Sequence, residues 1–335
     1  MEYLDFLPEL NRKEEKYLAR IQKKIHYCSY DQSYDEGEIV WIFGDKTELT
    51  DLLYDCHIPE DNWNNVIAHL SCPGCGHSNF ELGETVGLQT KYDREIEGHT
   101  KIAQKKYGKR IEDFELHLEK NPMLGYQHSF GRKLFREIKA KSIPSVTIKG
   151  EFFRARAVQS SEVLTSKKMS KAPSGKPTEG RFNHSGQSHL YLASDKETAL
   201  KEIANTEDPL LAWCQMFKID GEVAEILDLS FDWMNLSLST STLLLSLKMY
   251  KAIDRTDGNK EFWRPDYFLT RYIMDCAIML GYEGVKYNST KDYADYNVVI
   301  FNPERHKITP IGPPKVESFA GVEKSRRDFL DLKDI

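Results

Sequence analysis

The spacing of hydrophobic positions along this chain changes near its middle. Residues 12–25 are charged, with apolar positions at Tyr17, Leu18, Ile21 and Ile25, the three- and four-residue spacing of an amphipathic helix. Residues 38–43 read as a short strand or buried segment, and residues 47–70 as two short helices parted by His57-Ile58-Pro59. Strongly charged helical spacing returns over residues 93–120. A further helix is expected over 130–141, punctuated by Ile143-Pro144-Ser145. Beyond Pro144, short strand-like runs appear at 145–148, 152–158, 190–193, 225–229, 284–287 and 298–301. Helical segments intervene at 196–204, 239–252 and 262–280, without regular strand–helix alternation, which predicts an α+β domain. No internal repeat or low-complexity tract interrupts the chain. The expected organisation is a mainly helical domain over 1–144, an α+β domain over 145–313 and a charged tail over 314–335.

Composition narrows the function classes. The 335 residues are 40% hydrophobic and 29% charged, ordinary for a globular protein, and large enough for two domains. A formal net charge of −6 argues against a dominant nucleic-acid-binding surface, leaving room only for a local basic patch. Five basic residues between Lys101 and Arg110 read as a solvated helix face before a nucleic-acid contact. The first ten residues are acidic and do not read as a secretory signal. The most apolar stretch, 236–250, is broken by serines and Lys248 and falls short of the roughly 20 apolar residues that cross a bilayer. The expectation is a cytoplasmic protein without a membrane partner.

Four of the six cysteines, Cys28, Cys56, Cys72 and Cys75, lie in the first quarter. In a cytoplasmic chain such a cluster suggests metal before disulfide. Cys72-Pro73-Gly74-Cys75-Gly76 is a knuckle whose two thiolates can reach one tetrahedral zinc ion. One knuckle needs two more ligands. Cys56, sixteen residues upstream of Cys72, is the expected third and Cys28 the fourth, with His57 an alternative and His26, His69 and His77 weaker. The competing reading is a metal-free turn. Cys214 and Cys276 read as buried small hydrophobes.

The densest chemistry lies between residues 180 and 204. In the run 189–194, His189, Tyr191 and Ala193 face one side of a strand, and Leu190 and Leu192 the other. Ser194 stands three residues before Glu197, a capping-box spacing that predicts a helix start. Glu202 falls at the edge of that helix's apolar stripe, Ala199, Leu200, Ile203 and Ala204, where a carboxylate can sit at the lip of a pocket. Upstream, residues 166–180 form a lysine-rich loop with Pro173, Gly175 and Pro177, suited to covering an anion or simply to staying solvated. Singly, each of these residues has an ordinary structural reading.

Their order carries a resemblance. Phe152-Phe153-Arg154-Ala155-Arg156, Gly180-Arg181-Phe182-Asn183, Tyr191-Leu192-Ala193 and Glu197-Thr198-Ala199-Leu200-Lys201-Glu202 resemble successive blocks of the RES domain family. Residues 281–289, from Gly281 to Ser289, and the run Asn297 to Pro303 resemble its C-terminal signature. Spacings of ten residues from Arg181 to Tyr191 and eleven from Tyr191 to Glu202 fit the family pattern, over roughly half of the chain. The family is named for arginine, glutamate and serine positions, which map to an arginine of the first two blocks, to Glu202 and to Ser289. There are two departures: Phe182 stands where many relatives carry tryptophan, and residues 206–286 are longer than in compact toxin members, suggesting an inserted lid or interface.

The resemblance implies an ADP-ribosyltransferase-like split β-sheet and an NAD⁺-consuming enzyme that cleaves the nicotinamide–ribose bond. Such a glycohydrolase or phosphorylase would act as a toxin or defence effector. It would be restrained by a cognate antitoxin, by the N-terminal half or by homo-oligomerisation. Arg181, Tyr191 and Glu202 are the implied catalytic residues, with NAD⁺ contacts from Arg154, Arg156, Asn183, Ser289 and Asn297. Two other functions compete: an ADP-ribosyltransferase acting on a protein or nucleic acid, and a non-catalytic zinc-knuckle adaptor with a degenerate nucleotide-binding domain. Retention of Arg181, Tyr191 and Glu202 argues against the adaptor.

Overall fold

The structure is a computed structural model and describes residues 7–35, 38–41, 44–158, 163–203, 210–230, 236–251, 267–289 and 295–319. The described chain divides into two compact units, one running to Lys101 and the other starting at Ile102. The change of character at Pro144 therefore lies inside the second unit.

In the first unit, helix α1 (Arg12–Gln22) starts at a complete capping box: Asn11 Oδ1 accepts from the Lys13 and Glu14 amides, and Glu14 accepts from the Asn11 amide. The buried Glu14 carboxylate also accepts from Asn62 and Asn65, so its desolvation is offset by charge-assisted hydrogen bonds. The two short helices expected on either side of Pro59 are α2 (Leu49–Asp55) and α3 (Trp63–Ile67). The patterning missed a three-stranded sheet in which β5 (Thr85–Leu88) pairs with both β1 (Ile25–Cys28) and β4 (Asp45–Glu48). Strands β2 (Ser33–Asp35) and β3 (Glu38–Val40) pair with each other; the last two residues of the expected 38–43 segment lie outside the described residues. Ile21, Leu49, Leu52, Leu53, Val66 and Leu70 form the centre of this unit's core.

Helix α4 spans Lys91–Lys120 and α5 spans Ser129–Lys139. Tyr107, Ile111, Phe114 and Leu118 of α4 and Phe130, Leu134 and Ile138 of α5 belong to the largest core of the second unit. They pack there with helix α9 (Phe268–Met279) and with strands β9 (Gly284–Asn288) and β10 (Tyr296–Ile300). The apolar stripes of α4 and α5 are thus spent on the sheet that follows them. Tyr272 and Tyr282 extend this seam by donating to the carbonyls of Gly131 and Ile138.

The second unit is α+β, with a six-stranded sheet of order β11-β8-β6-β7-β10-β9. Its remaining strands are β6 (Ser145–Ala157), β7 (Leu190–Ala193), β8 (Leu210–Asp228) and β11 (Ile308–Phe319). A parallel pairing of β8 with β9 brings the far end of the sheet back onto its middle. The leucines of β7 face one core, with Phe152, Phe217, Val298 and Ile300, as its alternation predicts. Strands β6 and β7 share only the pair Phe153↔Ala193, so the sheet opens between them.

Three expectations are corrected here. The two strands expected at 145–148 and 152–158 are one strand, carried through register shifts near Gly150, whose φ of +98° suits glycine. The strand expected at 225–229 is the end of β8, which starts at Leu210 and pairs along its length with β6 and β11. Residues 210–228 are therefore central sheet rather than an inserted lid. The tail expected from residue 314 begins as strand: 314–319 belong to β11, and the rest lies outside the described residues. Pro310, Pro313 and Pro314 disguised this strand; an edge position with a register shift between Ile311 and Lys315 tolerates them. Among the described residues no helix is long and apolar enough to cross a membrane.

Candidate functional site

Helix α7 (Lys196–Ile203) follows β7 directly, and Asp195, rather than the expected Ser194, caps it: the Thr198 amide donates to Asp195 Oδ1 at 3.0 Å. Ser194 instead donates to Asp295. Thr198, Ala199 and Leu200 are buried, leaving Glu202 half-buried on the flank expected for it, while Ala204 lies outside the described residues. The Glu202 carboxylate does not point into bulk solvent alone. Its Oε1 accepts from Ser289 Oγ at 2.8 Å and from Asn297 Nδ2 at 2.7 Å. Ser289 follows β9 and Asn297 lies on β10; both are nearly fully buried. Among the described residues Oε2 has no protein hydrogen-bond donor.

The register sets which residues share this face. Tyr191 pairs with Val299 and Ala193 with Asn297, while Asn297 also pairs with Tyr287. Tyr191, Tyr287 and Asn297 therefore project to the same side of the sheet. Tyr287 is the hub: it interacts electrostatically with Arg181, Glu202, Tyr191 and Tyr267. Burial pushes its phenol pKa well up, with the Arg181 guanidinium opposing the shift and Glu202 adding to it, so the phenol is neutral. The Arg181 guanidinium lies 5.5 Å from the Tyr287 ring centroid and 5.9 Å from that of Tyr267. Among the described residues it has no carboxylate partner.

The loop carrying Arg181 is held from several sides. Phe182 is fully buried and its ring sits 4.9 Å from Tyr287, a packing anchor worth about 2 kcal/mol of burial. The Tyr191 hydroxyl accepts from the Phe182 amide at 3.0 Å and donates to Asn183 Oδ1 at 2.9 Å. Asn183 Nδ2 donates to the carbonyls of Thr178 and His184. A Cβ on Gly180 would stand 2.4 Å from Asn183 Oδ1, so only glycine permits this turn. From α9, Arg271 Nε donates to the Gly180 carbonyl at 2.9 Å and its guanidinium pairs with Glu179 at 2.8 Å; Thr270 donates to the Arg181 carbonyl.

The structure thus brings Arg181, Tyr191, Glu202, Ser289 and Asn297 together, with the Tyr191 hydroxyl and the Asn183 amide committed to the loop. Arg154 and Arg156 are not brought to the same face. Phe153, not Arg154, shares the side of Ala193, so alternation sends both arginines to the other side. Arg154 donates to the Tyr191 carbonyl at 3.2 Å, bridging the opening between β6 and β7; burial, then Arg156, pulls its pKa down to about 10, which leaves it charged at neutral pH. Arg156 is exposed and donates to the Lys168 carbonyl. Sequence reasoning missed Arg271 and the central place of Tyr287. The first carries no local signal; the second lies inside the quoted block 281–289 as an apparent core aromatic. His189 is a packing residue, with Nδ1 against the Phe301 carbonyl and its ring edge-on to Phe301.

In the first unit Cys28, Asp31, Cys72 and Cys75 place one ligand atom each within 4.8 Å of one another. Cys56 is not among them. It lies buried in the core behind α2, where burial pushes its thiol pKa up and its carbonyl accepts from Arg20. The expected set of Cys28, Cys56, Cys72 and Cys75 differs from the cluster at this position: Asp31 stands with Cys28, Cys72 and Cys75 in a group that could hold a metal ion.

A loop arginine, a helix glutamate and two buried donors, Ser289 and Asn297, thus share one side of an α+β domain. The RES domain family model matches residues 151–318, half of the chain, and the chain belongs to the RES domain family, one related to NAD⁺. No curated protein matches it.

Proposed function

We propose that this protein cleaves the nicotinamide–ribose bond of NAD⁺, as a glycohydrolase or phosphorylase. The observation that carries the proposal is the pairing of two open charges around Tyr287. Among the described residues, the Arg181 guanidinium lies on ring faces without a carboxylate, and Glu202 keeps one carboxylate oxygen free of protein donors. A permanently charged planar fork suits a pyrophosphate. A carboxylate held by Ser289 and Asn297 suits the oxocarbenium charge that develops on ribose as the C–N bond breaks. The electron pair of that bond leaves with nicotinamide, which is already cationic in NAD⁺ and needs no acid to expel it. Water or phosphate then bonds to the ribose carbon. The Tyr191 ring, fixed by its own hydroxyl, offers a face for nicotinamide, and its hydroxyl holds the loop rather than the substrate. A toxin or defence role under an antitoxin or oligomeric control belongs to the same proposal.

The test is free nicotinamide from purified protein and NAD⁺, with and without phosphate. Release that Glu202→Ala removes supports the reading. No release, or release undiminished in that variant, overturns it, and ADP-ribose label retained on protein or nucleic acid turns it into transfer.

A further inference from the structure

We infer that Cys28, Asp31, Cys72 and Cys75 bind one zinc ion in a closed, structural site. Two loops of equal reach build it. Cys28-Ser29-Tyr30-Asp31 leaves the end of β1 and Cys72-Pro73-Gly74-Cys75 forms the knuckle, each presenting ligands at its first and fourth positions. In the knuckle the Cys72 amide donates to the His77 carbonyl and the Gly76 amide to the Cys72 carbonyl, both at 2.8 Å. Gly76 holds a φ of +71°, so the chain doubles back and turns both thiols to one side. Tyr30 and His77 stack with centroids 4.1 Å apart, locking the two loops together beside the cluster.

The ligand atoms already face each other. Cys72 Sγ lies 2.8 Å from Asp31 Oδ2 and Cys28 Sγ lies 3.3 Å from Cys75 Sγ, while the Cys28 amide orients the same Asp31 oxygen at 2.8 Å. The sulfur pair is too far apart for a disulfide, whose bond is about 2.05 Å. Three thiols and a carboxylate turned inward on one another have little reason to converge without a cation. Thiolate-rich four-coordinate sets select zinc, and four protein ligands leave no place for a substrate. The link joins segments more than forty residues apart, so binding the ion would also tie the unit together. Asp31, not Cys56, is the residue this assigns.

The experiment is metal analysis of the full chain, purified under reducing conditions, and of protein stripped and reloaded with Zn²⁺ or Co²⁺ alone. The expected result is one zinc per chain, lost in Cys72→Ser and retained in Cys56→Ser. Asp31→Cys guards against a variant that merely misfolds: it keeps the metal, and its cobalt form gains thiolate charge-transfer intensity for a fourth sulfur. Protein that holds no zinc and takes up neither ion overturns the site. So does iron in zinc's place, a disulfide between Cys28 and Cys75 in the fresh protein, equal loss of zinc in Cys56→Ser and Cys72→Ser, or unchanged cobalt intensity in Asp31→Cys.

Discussion

The thiol cluster of the first unit and the Glu202 centre of the second use polar groups in opposite ways. Around Cys28, Asp31, Cys72 and Cys75 the ligand atoms turn on each other within 4.8 Å. Around Glu202 the buried donors Ser289 and Asn297 fix one carboxylate oxygen, and Arg181 lies over the aromatic rings of Tyr267 and Tyr287, with no acid partner among the described residues. The first arrangement turns its ligand atoms inward on one another rather than outward to a substrate. The second fixes its charges without neutralising them, which is what a ligand with a pyrophosphate and a developing cation requires. The two polar clusters of this chain are thus distinguished by where their valences point.

Four substitutions can break or sharpen that contrast. Glu202→Ala is expected to cost the most, about 10²- to 10³-fold in nicotinamide release, with a modest stability loss of about 1–3 kcal/mol because the buried donors Ser289 and Asn297 lose this acceptor. A large loss of stability would instead make Glu202 a strut. Arg271→Ala follows, at about 3 kcal/mol of unfolding free energy in urea, since it leaves Glu179 and the Gly180 carbonyl without their buried partner. Its release rate should fall as well, through the misplaced Arg181 loop. Arg181→Lys should lower kcat/KM about tenfold, mostly through KM, because a point charge replaces a fork; unchanged steady-state kinetics would remove Arg181 from NAD⁺ binding.

The smallest effect concerns acid stability. Burial, as the leading cause, lowers the pKa of His189, so the folded state prefers the neutral ring. Its contribution is intact above the ordinary histidine pKa of about 6.5 and is lost as pH falls from there through the lowered value. Urea midpoints should drop across that window in the natural protein and drop less in His189→Asn. An equal drop in both would assign the acid sensitivity elsewhere.

How much was legible beforehand differs between these regions. Strand β7 matches the alternation of residues 190–193 residue for residue, and the order of Arg181, Tyr191, Glu202, Ser289 and Asn297 pointed to a shared site that their geometry brings together. Local pattern works there because one strand, one turn and one helix present the residues in succession. The start of β8 was hidden, since the run Leu210-Leu211-Ala212-Trp213-Cys214 is apolar throughout and shows no alternation, although β6 and β11 pair with it as strand. The candidate metal-ligand cluster was half visible: the knuckle is written in five residues, while no local signal singled out Asp31.

The amino-acid sequence by itself determined the periodicities, the turns that need Gly76 and Gly180, and the residue types able to do the chemistry. Only the tertiary structure decided that Asp31 displaces Cys56, that Arg154 and Arg156 leave the face of Glu202, and that Arg271 braces the loop of Arg181. Those outcomes depend on strand register and on contacts between residues dozens of positions apart. A shift of one residue in pairing sends a side chain to the opposite face, and no local spacing encodes which partner will lie across.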